Sequence, residues 1–140
     1  MSIDEISDFV RSLGNVLTMS PEEGDGTPEV AWGDRFFYYA PDGVVPPGQP
    51  FATIVTKDYP GEPSAGLGGG VFRVNVDAGR RDQPAGEDPA LRDTVMPHPV
   101  YGHLGWVCVV QPSEGTAEEL RDLLSEAHAA ASRRWTRRHD

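Results

Sequence analysis

A chain of 140 residues is long enough for one hydrophobic core and too short for two. Its formal charge of -10 counts against a surface that tracks phosphates and against anionic membranes. The single cysteine, Cys108, rules out an intrachain disulfide and a thiolate metal cluster.

Ser2 and Glu5 form an S-x-x-E capping box, and Ile3, Ile6, Phe9, Val10 and Leu13 recur at helical spacing before Gly14. The pattern predicts a first helix of about three turns with one buried stripe. No basic segment and apolar run opens the chain, and nothing approaches the roughly 18 apolar residues of a membrane span. The expected location is cytoplasmic. Val16 to Thr18 reads as a short edge strand, and Ser20 to Pro28 as a solvated acidic loop. That loop lacks the regular oxygen ladder and flanking helices of a calcium site.

Glu29 to Trp32 and Arg35 to Ala40 are predicted strands hinged at Gly33-Asp34, the second with aromatics on both faces. Pro41-Asp42-Gly43 is a turn in which proline presets one dihedral and glycine supplies the positive one. A third strand, Phe51 to Thr56, leads into a loop over 57–70 that ends in three glycines. Val71 to Asp77 alternates cleanly, with Phe72, Val74 and Val76 on one side and Arg73, Asn75 and Asp77 on the other. Residues 78–97 hold too many prolines and glycines for a long helix and read as the most mobile segment. Gly105 to Gln111 is a last apolar strand, in which Cys108 is expected to be a buried, inert thiol. Thr116 and Glu119 form a second capping box, and Leu120, Leu123, Leu124, Ala127 and Ala131 supply the core face of a closing helix.

Strands grouped between two helices, without strand–helix alternation, predict an α+β two-layer sandwich with an antiparallel sheet. It forms one domain over 1–134, followed by a basic tail over 135–140. One sheet face packs on the helices and the other meets solvent or a partner.

The glycines from Gly66 to Gly70 resemble a phosphate loop only superficially. They precede a strand rather than open a helix, and Val71 stands at the third glycine position. The segment from Met96 to His103 is more distinctive. Its two imidazoles, His98 and His103, titrate near neutrality and suit a general base or a ligand, with Asp34 and Asp42 as carboxylate partners. Their i, i+5 spacing matches no helical zinc pair, so no metal or cofactor is assigned. Ser64, Ser113 and Ser125 lack the strained turn of a serine nucleophile. The aromatic set is large for the chain, and Trp32, Tyr38, Tyr101 and Trp106 are the candidate ligand-binding residues on an exposed sheet face.

Three stretches, AWGDRFFYYAPDG, PFATIVTKDYPG and DTVMPHPVYGHLGWVCVVQP, resemble a bacterial family of unknown function, domain of unknown function 6194. The resemblance runs over nearly the whole chain and implies no activity. More distantly, Trp32-Gly33, Trp106-Val107 and the leucine-rich stretch from Glu119 to Ala131 are similar in layout to YjbR-like proteins. That similarity implies a compact α+β fold of the secretion-chaperone-like kind. Relatives continue into a helix after the position of Val76, where this chain has prolines and glycines. Some relatives are labelled DNA-binding on fold grounds alone, and the acidic balance here counts against carrying the label over.

The expected function is a small cytoplasmic binding or interaction domain without catalysis, its partner a second copy or a small molecule. One alternative is an enzyme built on His98, His103 and Asp34. The other is nucleic-acid binding through Arg133, Arg134, Arg137 and Arg138, although complementing a helix C-terminus suffices to explain those arginines.

Overall fold

The central strands send one row of apolar side chains toward two helices, and that row sets the architecture. A computed structural model describes residues 1–79 and 88–140. In chain order it has α1 (Ile3–Ser12), β1 (Val16–Met19), β2 (Arg35–Tyr39), β3 (Ala52–Val55), β4 (Arg73–Asp77), β5 (Met96–Pro97), β6 (Trp106–Val110) and α2 (Glu114–His139). The strands form one sheet in the order β1-β2-β3-β4-β6-β5, each neighbouring pair antiparallel. This is the two-layer α+β arrangement that the grouping of strands implied.

The helix-facing layer is mainly apolar. Phe37, Ile54, Phe72, Val74, Val76, Val107 and Val109 from the sheet close on Ile6 and Val10 of α1 and on Leu120, Leu123, Leu124, Ala127 and Ala131 of α2. All five of those α2 positions are the ones its helical spacing singled out. At α1, the Ser2 hydroxyl accepts from Glu5 N at 3.1 Å and the Glu5 carboxylate accepts from Ser2 N at 3.1 Å, so the capping box is complete. His128 ties the helices together, its Nε2 standing 2.7 Å from the Gly14 carbonyl oxygen.

The opposite sheet face is only half covered. Over β6 and β5, Cys108, Val110 and Met96 are sealed by Ala65 of the 57–70 loop, with Leu67 and Val71 against them. Asp58 holds that loop in shape, accepting from Ser64 Oγ at 3.0 Å and from Ala65 N at 2.9 Å. Over β2, β3 and β4 the face stays open.

Four details differ from the sequence-based expectations. Glu29–Ala31 is a 3-10 turn, not a strand, because Ala31 N and Trp32 N donate back to the carbonyls of Pro28 and Glu29. The helix also continues through 135–139, so the basic tail forms the last turns of α2, where Trp135 packs edge-on against Tyr39. β5 is a two-residue strand that includes a proline, a signal too short for periodicity to register. The mobility expected over 78–97 falls partly on residues 80–87, which lie outside the described residues.

The remaining difference concerns how α2 begins. The helix starts at Glu114, ahead of the Thr116–Glu119 box, and no side chain of its own caps it. Asp93, about twenty residues upstream, does so instead. It accepts from Ser113 N at 2.8 Å, Ser113 Oγ at 2.6 Å and Thr116 Oγ1 at 2.6 Å. A Cβ at Gly115 would stand 2.6 Å from Asp93 Oδ2, so glycine is what lets the carboxylate approach. The Ser113 hydroxyl first, then that of Thr116, holds the Asp93 carboxyl down to about 2. Asp93→Ala therefore lowers the melting temperature at pH 7, read by circular dichroism. An unchanged melting temperature would show that α2 needs no distant cap.

Candidate functional site

Alternation along β4 turns Arg73 and Asn75 away from the helices, onto the open sheet face. There they are not solvated: Arg73 is 5% exposed and Asn75 is 4% exposed. Buried polar groups need partners, and these have recruited a network. Arg73 Nε donates to Asn75 Oδ1 at 2.9 Å, and Asn75 Nδ2 donates to Thr53 Oγ1 on β3 at 2.9 Å. Glu62 Oε1 lies 3.7 Å from Arg73 Nη2, close enough to balance charge and too far for a hydrogen bond. On the other side His98 Nε2 stands 3.3 Å from the same Nη2.

Above this polar floor is a cavity of about 370 Å³. Its walls are largely aromatic: Phe36 and Tyr38 from β2, Tyr59 from the 57–70 loop, Tyr101 from the turn after β5, and Trp106 at the start of β6. Leu104 and the Gly48–Pro50 stretch complete the rim. The mix of an apolar wall and a few convergent polar groups is that of a small-molecule pocket.

His98 takes its orientation from its own loop. Its Nδ1 accepts from Val100 N and Tyr101 N, each at 3.0 Å, and its ring sits 5.0 Å from that of Tyr101. Burial first, and the Arg73 guanidinium second, push the imidazole down to about 3. Gly102 completes this turn, where a Cβ would meet Pro97 Cβ at 3.0 Å.

The sequence-derived candidates fall into two groups. His98, Tyr38, Tyr101 and Trp106 all line the cavity. His103, Asp34 and Trp32 do not. His103 is exposed, with Nδ1 3.1 Å from the Val100 carbonyl. Trp32 donates its indole N–H to Thr27 O at 3.1 Å, pinning the acidic loop. Asp34 is fully buried and occupied: it accepts from Thr56 N and Thr56 Oγ1, both at 2.9 Å, and from the Tyr59 hydroxyl. Burial first, and the bond to Asp34 second, push the Tyr59 phenol up. Lys57, the one lysine, sits 3.9 Å from Asp34 and donates to the Val30 and Trp32 carbonyls at 2.9 and 2.6 Å. The two imidazoles and the carboxylate therefore do not converge. Asp42 keeps its turn role, accepting from Val44 N at 3.1 Å. Cys108 lies beside the floor, buried beneath the 57–70 loop, and burial pushes its thiol up to about 11.

Sequence reasoning missed Arg73, Asn75, Thr53, Tyr59 and Glu62. The only signal was the polar row of β4, which alternation assigns to solvent by default. Elsewhere, Arg134 and Arg138 line a second cavity of about 480 Å³ between the end of α2 and the Pro46–Gln49 connector. Among the described residues no three His, Cys, Asp or Glu side chains gather at metal-ligating spacing, and no helix is long and apolar enough to cross a membrane.

Two outcomes follow from these partners. Asp34→Asn keeps shape but weakens the charged acceptor of three hydrogen bonds, and should cost about 1.5–3 kcal/mol in urea unfolding. A loss below the error of the fit would remove Asp34 as the latch between β2 and β3. For His98, the folded value of about 3 lies below the unfolded 6.5, so the unfolded chain binds a proton that the fold does not. The stabilisation is complete above pH 6.5 and declines as pH falls through the window toward about 3. Melting temperature should fall from pH 7 to pH 5, and His98→Asn, whose Oδ1 can still accept from the loop amides, should flatten that slope. An equal slope in the variant would assign the acid sensitivity to other groups.

No curated protein and no solved structure matches the chain. The model of a family of unknown function (DUF6194) matches residues 1–140 from end to end, and the chain belongs to that family.

Proposed function

We propose that this protein is a small-molecule-binding domain without catalysis, its ligand seated on the sheet face formed by β2, β3, β4 and β6. The observation that carries the reading is Arg73. A guanidinium at the centre of a sheet is costly to bury, and this one lies beneath an aromatic cavity with hydrogen-bonding capacity unspent. Catalysis by His98, His103 and Asp34 finds no such support, since each is bonded within its own turn or latch. The cytoplasmic setting belongs to the same reading, and a lone, buried, free thiol is in keeping with it.

A homodimer through the same face is the second reading, favoured by the exposure of Tyr101 and Leu104 at the rim. Analytical ultracentrifugation separates the two. A concentration-dependent dimer that Leu104→Asp dissolves supports the homodimer, and a monomer at all concentrations removes it.

The test of the main reading is a thermal-shift screen of metabolites on wild type, Tyr38→Ala and Trp106→Ala. A ligand that binds only the folded state at a hundred times its Kd adds about 2.7 kcal/mol of stability. Hits should stabilise wild type and lose that effect in both variants. Hits indifferent to both substitutions would place binding elsewhere.

A further inference from the structure

The proton on His98 can be located from geometry. A ring nitrogen that accepts from two amides, as Nδ1 does from Val100 N and Tyr101 N, carries no hydrogen. In the neutral ring the hydrogen is therefore on Nε2, which faces Arg73 Nη2 at 3.3 Å. Guanidinium has donors only and does not lose its proton in proteins. Two donors thus meet with no acceptor between them. The alternative tautomer is worse, because it would set Nδ1–H against two amide donors.

The rest of the guanidinium is also short of acceptors. Nε is spent on Asn75, and Nη1 has no hydrogen-bond partner among the described residues. The buried side-chain atoms without a partner among those residues are Ser7 Oγ and Thr18 Oγ1, so Nη1 keeps contact with solvent, and the cavity is the space that Arg73 lines. Among the described residues the one acid beside it, Glu62, stays at 3.7 Å. A nearly buried cation flanked by a second donor calls for an acceptor that also carries charge.

We infer that the cavity recognises a planar monocarboxylate, its oxygens accepting from Arg73 and from His98 Nε2, its apolar body held among Tyr38, Tyr59, Tyr101 and Trp106. The inference rests on the small-molecule reading above and names its ligand class. A single negative charge is the fit, because Glu62 stands at 3.7 Å without a hydrogen bond and offsets Arg73 only in part, and the imidazole is neutral. A phosphate monoester dianion would place two further negative charges beside Glu62. The flat aromatic walls favour a flat, apolar body over a flexible polar one.

Titration calorimetry of the full chain tests this with 2-naphthoate and indole-3-acetate, their neutral amides, and phenyl phosphate as probes. The carboxylates should bind about tenfold or more tighter than the amides, the difference expected for hydrogen bonds to a charged group. Arg73→Lys should erase that preference. Glu62→Gln removes the competing carboxylate, and should tighten the acids several-fold while leaving the amides unchanged. Because Glu62 is at the cavity wall, this second variant keeps the test decisive even where Arg73 substitutions unfold the chain. Amides binding as well as acids, phenyl phosphate binding tightest, or no binding of either class at millimolar concentration would each overturn the carboxylate assignment. The broader small-molecule reading survives those results if a screening hit is lost in Trp106→Ala, and falls with them if none is.

Discussion

The open side of this sheet is organised by one constraint, the burial of Arg73 in the middle of β4. Removing a guanidinium from water costs several kcal/mol unless charge and hydrogen bonds replace the solvent. Here part of the replacement comes from Asn75 beside it, itself braced by Thr53 on β3, and from the charge of Glu62 in the 57–70 loop, while His98 from the turn after β5 closes the other side without offering an acceptor. A residue that draws on so many segments also fixes their relative positions. The walls of the cavity are where they are partly because the floor requires them there.

A second latch supports the first. Asp34 binds Thr56 and Tyr59, and Lys57 closes over the turn that precedes it. This sets the path on which the loop leaves β3, and so the approach of Tyr59 and Glu62 to Arg73. Farther along, Ala65 and Leu67 of the same loop pack on Met96, Cys108 and Val110, sealing half of the face. The helix side shows little of this polarity. It is a close-packed apolar layer whose energetics come from burial, and it leaves the other face free to carry chemistry.

The fold was legible wherever a pattern is local. The amphipathic stripe of α1 with its capping box, the alternation of β4 and the apolar face of α2 are all one-element signals, and each strand or helix formed where they placed it. What failed depended on distant partners. The start of α2 is set by Asp93, which no window around Thr116 contains. The turn at Glu29–Ala31 has strand-like residues but sits between Pro28 and the buried Asp34, and closing onto its own carbonyls is how it reaches that latch. The site was half legible for the same reason. His98, Tyr38, Tyr101 and Trp106 stand out as residue types, so they were found. Arg73 and Asn75 look like the solvated face of an ordinary strand, and only a loop folding back over the sheet makes them a floor. Asp34 and His103 suggested a catalytic group by composition, yet the latch to Thr56 and Tyr59 claims the first and the Val100 carbonyl the second.

Among the described residues the cavity presents two donors, Arg73 and His98 Nε2, with no acceptor of their own, and the imidazole of His98 reports on this directly. A long-range proton–nitrogen correlation spectrum of the histidine rings, with His98 assigned through His98→Asn, distinguishes the tautomers without any ligand. Nε2 protonated and Nδ1 bare at pH 7, with the ring still neutral at pH 5, is the expected result. A proton on Nδ1, or a ring that titrates near its ordinary value, would contradict it.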